Sequence, residues 1–335
     1  MAMPPAPPEG DPPSGFQNPT QSWTLSSNRW RRILLVTALF AVVTLAAGLL
    51  WITTDDRKDP GSTSSAGDVD RTVGLLREKD PVCDEWGKHA DELAENTRTW
   101  LAIDPATPAA NWSLEQLERI NTAAEAILSA TDRFESILPL ARNPVLQELV
   151  AQVIVYWRAY VDSIPEYTER DGKLSGVASN FGNAVTFICA AMPLSPQAEG
   201  NSRRQSSTED IAELTPVIVT FDAACDEFMR LANRQNALLR SWADEDPAKP
   251  ASEWSSEQRR LNRAAQEVLT RDAGQVRNIA EGTANTRFAN LLFTYSAYVQ
   301  AFVESIPRYT QADDQLWKVA TYLAGGLGSA CEAEL

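Results

Sequence analysis

One cysteine spacing is used twice in this chain. Cys83 and Cys189 stand 106 residues apart, and so do Cys225 and Cys331. Cys225 follows Cys83 by 142 residues, and there are four cysteines in all. Residues 100–116 read WLAIDPATPAANWSLEQ and residues 242–258 read WADEDPAKPASEWSSEQ. Ten of these seventeen positions are identical, and SIPEYT at 163–168 returns as SIPRYT at 305–310. A repeat this long is a whole domain rather than a solenoid unit of about 20–50 residues. The expected architecture is all-α: a single transmembrane helix, then two tandem, disulfide-closed, antiparallel four-helix bundles offset by about 142 residues.

The helices are read from their periodicity. Leu146, Leu149, Val150, Val153, Ile154, Trp157, Tyr160, Val161 and Ile164 follow steps of three and one, one face of an α-helix. Phe288, Leu291, Leu292, Tyr295, Val299, Phe302, Val303 and Ile306 repeat that stripe. Asn143-Pro144 supplies a cap and a first-turn proline. Ser113-x-x-Gln116 and Ser255-x-x-Gln258 read as capping boxes opening a second helix, with an apolar face through Leu117, Ile120, Ala124, Ile127, Leu128 and Phe134. A weaker first helix is expected over about 81–103 and a fourth over about 173–191. In an up-down-up-down bundle the start of helix one and the end of helix four meet. Pairs Cys83–Cys189 and Cys225–Cys331 therefore suit the geometry among the three possible pairings.

Residues 33–52 are twenty residues without a charge, about 30 Å of helix, one hydrocarbon thickness. Arg29, Arg31 and Arg32 precede the run, and Trp30 and Trp51 flank it. The run continues past Ala46-Ala47, which favours an uncleaved anchor over a signal peptide. The arginines place the N-terminus in the cytoplasm and the remainder outside, a single-pass plasma-membrane layout; Ala- and Trp-rich helices behind a proline-rich tail and one anchor resemble a bacterial cell-envelope protein in composition. Outside the cell the cysteines are expected to be oxidised. The expected layout is 1–32, a disordered proline-rich cytoplasmic tail; 33–53, the transmembrane helix; 54–80, a flexible stalk; 81–192, bundle one; 193–216, a linker; and 217–335, bundle two.

Net charge is −15 for the chain, and the 32-residue tail is net positive by one, so the external part is strongly acidic. General attraction to nucleic acid is disfavoured on sign, and no nucleic-acid partner is expected. Candidates for chemistry are few. His89 is the lone histidine, and Leu231 stands at its matching position. The pairs Asp84-Glu85 and Asp226-Glu227 fall in a first helical turn, where the dipole favours acids. Gly325-Gly326-x-Gly328 lacks the strand-to-helix context of a phosphate loop. No cofactor, metal site or catalytic constellation is read.

The two shared loops are the stronger candidates. In an up-down-up-down bundle both lie opposite the cysteines, which gathers Trp100, Asp104, Trp112 and Tyr167, and equally Trp242, Asp246, Trp254 and Tyr309. Aromatics beside an acid suit a protein, peptide or sugar. The plainer reading is a plug for the bundle end, with Trp filling it, the prolines stiffening the loop and Tyr bonding to backbone. The expectation is a non-catalytic module, held to the membrane by one helix, that binds an extracytoplasmic protein or envelope component. The alternative is a small-ligand sensor or transporter accessory protein with a pocket in each bundle.

Overall fold

The computed structural model describes residues 72–76, 79–191, 202–204, 214–220 and 222–333. The expected tail and anchor lie outside these residues. The described residues are predominantly helical. In chain order, α1 is Val82–Asn96, α2 Leu114–Ile137, α3 Pro144–Ser163 and α4 Gly172–Ala191. Then α5 is Ala223–Ala243, α6 Ser256–Gly282, α7 Thr286–Ser305 and α8 Asp314–Glu332. One short antiparallel ladder joins β1, Thr72–Gly74, to β2, Ser202–Arg204, with Thr72 opposite Arg204. The sequence reading expected no strand there.

The caps explain where the helices begin. Ser113 and Ser255 each accept the backbone N–H three residues on, and Gln116 and Gln258 reach back to the cap N–H, so both capping boxes form. Asn143 Oδ1 accepts from Val145 N at 2.8 Å, with Pro144 at the first helical position. α1 is shorter than expected. It ends at Asn96, where the Thr97 hydroxyl bonds back to Leu93 O at 2.8 Å, and a 3-10 turn, Trp100–Ala102, follows.

In the first set of four, each helix packs on the next and α1 closes against α4; α5 to α8 repeat the pattern. Cys83 and Cys189 are bonded with Cα atoms 5.6 Å apart, and Cys225 and Cys331 with 5.5 Å. Thus the spacing and helix order select the pairing that the structure shows. Trp86 and Phe134 stack at 4.5 Å inside the first set, and Phe228 meets Tyr295 edge-on at 6.0 Å inside the second.

The two sets pack together. α4 and α8 run side by side as the largest helix contact among the described elements. A Cβ added at Gly326 would stand 2.3 Å from the Phe181 ring, and one at Gly325 would stand 2.6 Å from Asn180 Oδ1. Gly325-Gly326 is therefore a packing site, where absent side chains let two helices approach. Phe187 stacks on Tyr322 at 5.2 Å, Lys318 lies over the Phe187 ring at 5.1 Å, and Lys173 pairs with Glu332. This burial accounts for the composition of α4. Glu169–Ala191 is long and apolar enough to cross a membrane by length and composition, yet Leu174, Val177, Phe181, Val185 and Ile188 are core residues and Cys189 is disulfide-bonded.

The lead-in to each set is laid on the other set. Leu75 and Leu76 are buried, and Leu76 N donates to the Tyr298 hydroxyl of α7 at 3.4 Å. Residues 142 positions on, Val217 and Ile218, are buried too. Val217 N donates to Gln152 Oε1 of α3 at 2.7 Å, and Gln152 Nε2 donates to Thr215 O at 2.9 Å. Arg287 of α7 grips Glu148 of α3 with both Nε and Nη2 and reaches Thr215 as well. So Leu75 and Leu76, read from sequence as part of the stalk, are packed. α3 also buries Ala151, Gln152 and Tyr156 behind its main stripe, because that second face receives the arm.

Candidate functional site

The loops at the end of each set opposite the disulfide meet as expected. Ala109 N donates to Tyr167 O at 2.9 Å, and Ala251 N to Tyr309 O at 2.8 Å. The Tyr167 hydroxyl donates to Pro105 O at 2.8 Å, and that of Tyr309 to Pro247 O at 2.7 Å. Trp112 Nε1 donates to Thr107 O and Trp254 Nε1 to Lys249 O, both at 2.9 Å. Trp112 lies against Tyr167 with centroids 5.3 Å apart, and Trp254 against Tyr309 at 5.8 Å. These contacts tie the long loop between helices one and two to the short one between helices three and four.

The polar atoms of these aromatics are therefore turned inward. Buried donors find partners because leaving one unmade costs about 1–3 kcal/mol. The Trp100 and Trp242 pair shows the constraint. Trp100 Nε1 donates to the Tyr160 hydroxyl on α3, whereas Trp242 Nε1 donates to Asn262 Oδ1 on α6, each at 2.9 Å. The residue matching Tyr160 is Phe302, and that matching Asn262 is Ile120. One set holds its indole from one helix, the other from a different helix, and the bond is kept.

Burial holds the phenols neutral. Desolvation pushes Tyr160 up to about 12, opposed by the hydrogen bond from Trp100. It raises Tyr167 as well, reinforced by Tyr160 and by the nearby acids Asp171, Glu169 and Asp104.

Asp104 and Asp246 are exposed, and each Oδ1 accepts the backbone N–H two residues on at 3.0 Å, which sets the turn after it. Trp100, Trp112 and Trp242 are half-buried, and Tyr167, Tyr309 and Trp254 are buried. His89 lies half-buried on α1 and Asp84-Glu85 opens that helix, apart from the loop end. A recess of about 300 Å³ lies between α5 and α6, lined by Glu227, Arg230, Arg234, Gln275 and Asn278 among others.

Sequence reasoning missed three residues at the first loop end. Leu101 is 68% exposed, Leu114 86% and Leu117 39%. Leu117 and Leu128 were placed on the buried face of α2, but that face runs through Ile120, Ala123, Ile127, Ala130 and Phe134. The signal was available in the repeat itself: residues matching Leu101, Leu114 and Leu117 are Ala243, Ser256 and Arg259. Leu114 and Leu117 become polar in the other copy and Leu101 shrinks to alanine, which is not how residues that hold a core behave.

No solved structure matches the chain. A protein of Mycolicibacterium smegmatis (strain MKD8), described as an uncharacterized protein, is 28% identical over 368 residues, covering 99% of this chain and 97% of its own length. The model of the family described as mycobacterial ESX-1 associated protein matches residues 40–191 and again residues 107–335. The helical, twice disulfide-closed chain described above belongs to the mycobacterial ESX-1 associated protein family.

Proposed function

We propose that this chain is a non-catalytic binding module of the mycobacterial envelope that works beside the ESX-1 secretion system. In this reading residues 33–52 anchor it with the N-terminus in the cytoplasm. Two disulfide-closed four-helix bundles, products of an internal duplication, then stand outside as one acidic body. The family supports the ESX-1 context. Oxidised cysteines fit a non-reducing compartment.

The observation that carries the binding role is the allocation of side chains at the loop ends. The aromatics satisfy their polar atoms internally and stiffen the loops, while Leu101 and Leu114 are left in water beside them. Exposed apolar residues held on a rigid, capped loop are what a protein-docking surface requires.

The test is deletion of the gene in a mycobacterium, scored by ESX-1-dependent export. Export is expected to fall, to recover with the full chain, and to stay low with a chain lacking residues 33–52. Undiminished export in the deletion strain would refute the association with that system.

A further inference from the structure

The two loop ends share the hydrogen bonds that tie their loops together but not their surfaces. At the first, Leu101, Leu114 and Leu117 are exposed. The 3-10 turn that carries Leu101 packs against α2, whose first residue is Leu114, and Leu117 lies one turn further on the same face. The cap does not need Leu114, because the same capping box forms with Ser256 in its place.

The charge changes along with the apolar residues. Asp104, Glu118 and Glu166 are exposed around the first loop end; of the arginines among them, Arg119 is paired with Glu115 and Arg170 lies in the turn after Tyr167. The positions matching Glu118 and Glu166 carry Arg260 and Arg308, and that matching Leu117 carries Arg259. The second loop end keeps exposed acids of its own at Asp244, Asp246, Glu253 and Glu257, so the contrast lies in the exposed leucines of the first end and in the three arginines that replace Leu117, Glu118 and Glu166 in the second.

We propose that the loop end of the first bundle, and not that of the second, docks a basic amphipathic helix of a partner protein. The apolar stripe of that helix lies on Leu101, Leu114 and Leu117, and its lysines or arginines face Asp104, Glu118 and Glu166. Helices with apolar anchors at i, i+3, i+4 and i+7 are read in this way by apolar surfaces, and complementary charge fixes orientation and speeds encounter. The acidic rim turns away anionic lipid headgroups, so the partner is a protein segment. This rests on the binding role proposed above and assigns it a face and a ligand chemistry.

The test uses the full chain in nanodiscs of zwitterionic lipid and two fluorescent helical peptides. Both carry one leucine stripe, flanked by lysines in one and by glutamates in the other. Saturable anisotropy binding of the lysine peptide is expected, with none for the glutamate peptide. Leu101→Ser with Leu114→Ser is expected to weaken it by about tenfold or more, equivalent to about 1.4 kcal/mol, while Ala243→Ser leaves it unchanged. Both leucines are exposed, and an unchanged melting curve confirms that the double variant folds. No binding of the lysine peptide overturns the proposal. So does equal binding by the double variant, since that is attraction by charge alone. Either failure leaves the export result standing, so the two readings are separable.

Discussion

The close approach of α4 and α8 makes one chemical change act in opposite directions at two glycines. Replacing a mid-helix glycine by alanine stabilises a helix by about 0.5–1 kcal/mol, because alanine loses less backbone freedom on folding. At Gly274 in α6 a new Cβ meets nothing within 4 Å, so Gly274→Ala should show that gain. At Gly326 the new Cβ would stand 2.3 Å from two carbons of the Phe181 ring, which is fully buried and cannot swing into water. Overpacking a core costs about 1–3 kcal/mol, so Gly326→Ala should be destabilised by roughly 0.5–2 kcal/mol net. At about 2–4 °C per kcal/mol for a domain of this size, Gly274→Ala should melt a few degrees higher than the parent and Gly326→Ala a few degrees lower. Thermal unfolding of the full chain, followed by circular dichroism at 222 nm, reads both. The positions matching Phe181 and Gly326 carry Leu323 and Ala184, so Phe181→Leu should recover much of the loss in Gly326→Ala. A Gly326→Ala melting point as high as that of Gly274→Ala would refute the packing of α4 on α8.

Other perturbations read other parts of the molecule. Cys83→Ser with Cys189→Ser opens a loop of 106 residues, and the chain-entropy model puts the loss near about 4.7 kcal/mol; differential scanning calorimetry should show a large fall in Tm. Trp112→Phe keeps a ring against Tyr167 and leaves Thr107 O without its donor, so chemical denaturation should show a loss of about 1 kcal/mol. Asp272 is fully buried: its Oδ1 pairs with Arg271 and Arg234, both half-exposed, while Oδ2 is unpartnered; Asp272→Ala, which installs the residue found at the matching position 130 and strands no buried charge, should hold or raise the melting temperature, read in the same way. Raised tyrosines make stability fall at alkaline pH. Tyr160, Tyr295 and Tyr322 ionise at about 12 when folded, against 10 as the ordinary value. Between those values the unfolded chain has released protons that the folded chain retains, so unfolding is favoured as pH rises through that window. Phenolate absorbance at 295 nm should rise together with loss of helix signal.

The repeat made much of this legible. Matching Cys, Trp, Pro and Ser-x-x-Gln positions named the disulfides, the caps and the loops that meet at one end, since each is a local rule with a fixed spacing. What was hidden is what depends on the partner half. The burial of Gln152 and Tyr156 follows from an arm that arrives from residues 215–218, and no periodicity in α3 announces it. Gly325-Gly326, which lacks the context of a phosphate loop, likewise takes its role only from α4 packed against it. Leu117 and Leu128 were assigned to the core because three- and four-residue steps can be drawn through two neighbouring faces of one helix. Identity between copies could not separate a cap from a binding site. Difference between copies could, and Leu114 against Ser256 is where the two loop ends part.

That contrast gives the most direct measurement. A photo-crosslinking amino acid placed at Leu114, and separately at Ser256, can be activated in living mycobacteria carrying the full chain. A discrete protein adduct should form from position 114 and disappear when Leu101→Ser is added, with position 256 giving none. Adducts of equal yield from both positions, or none from 114, would contradict the account.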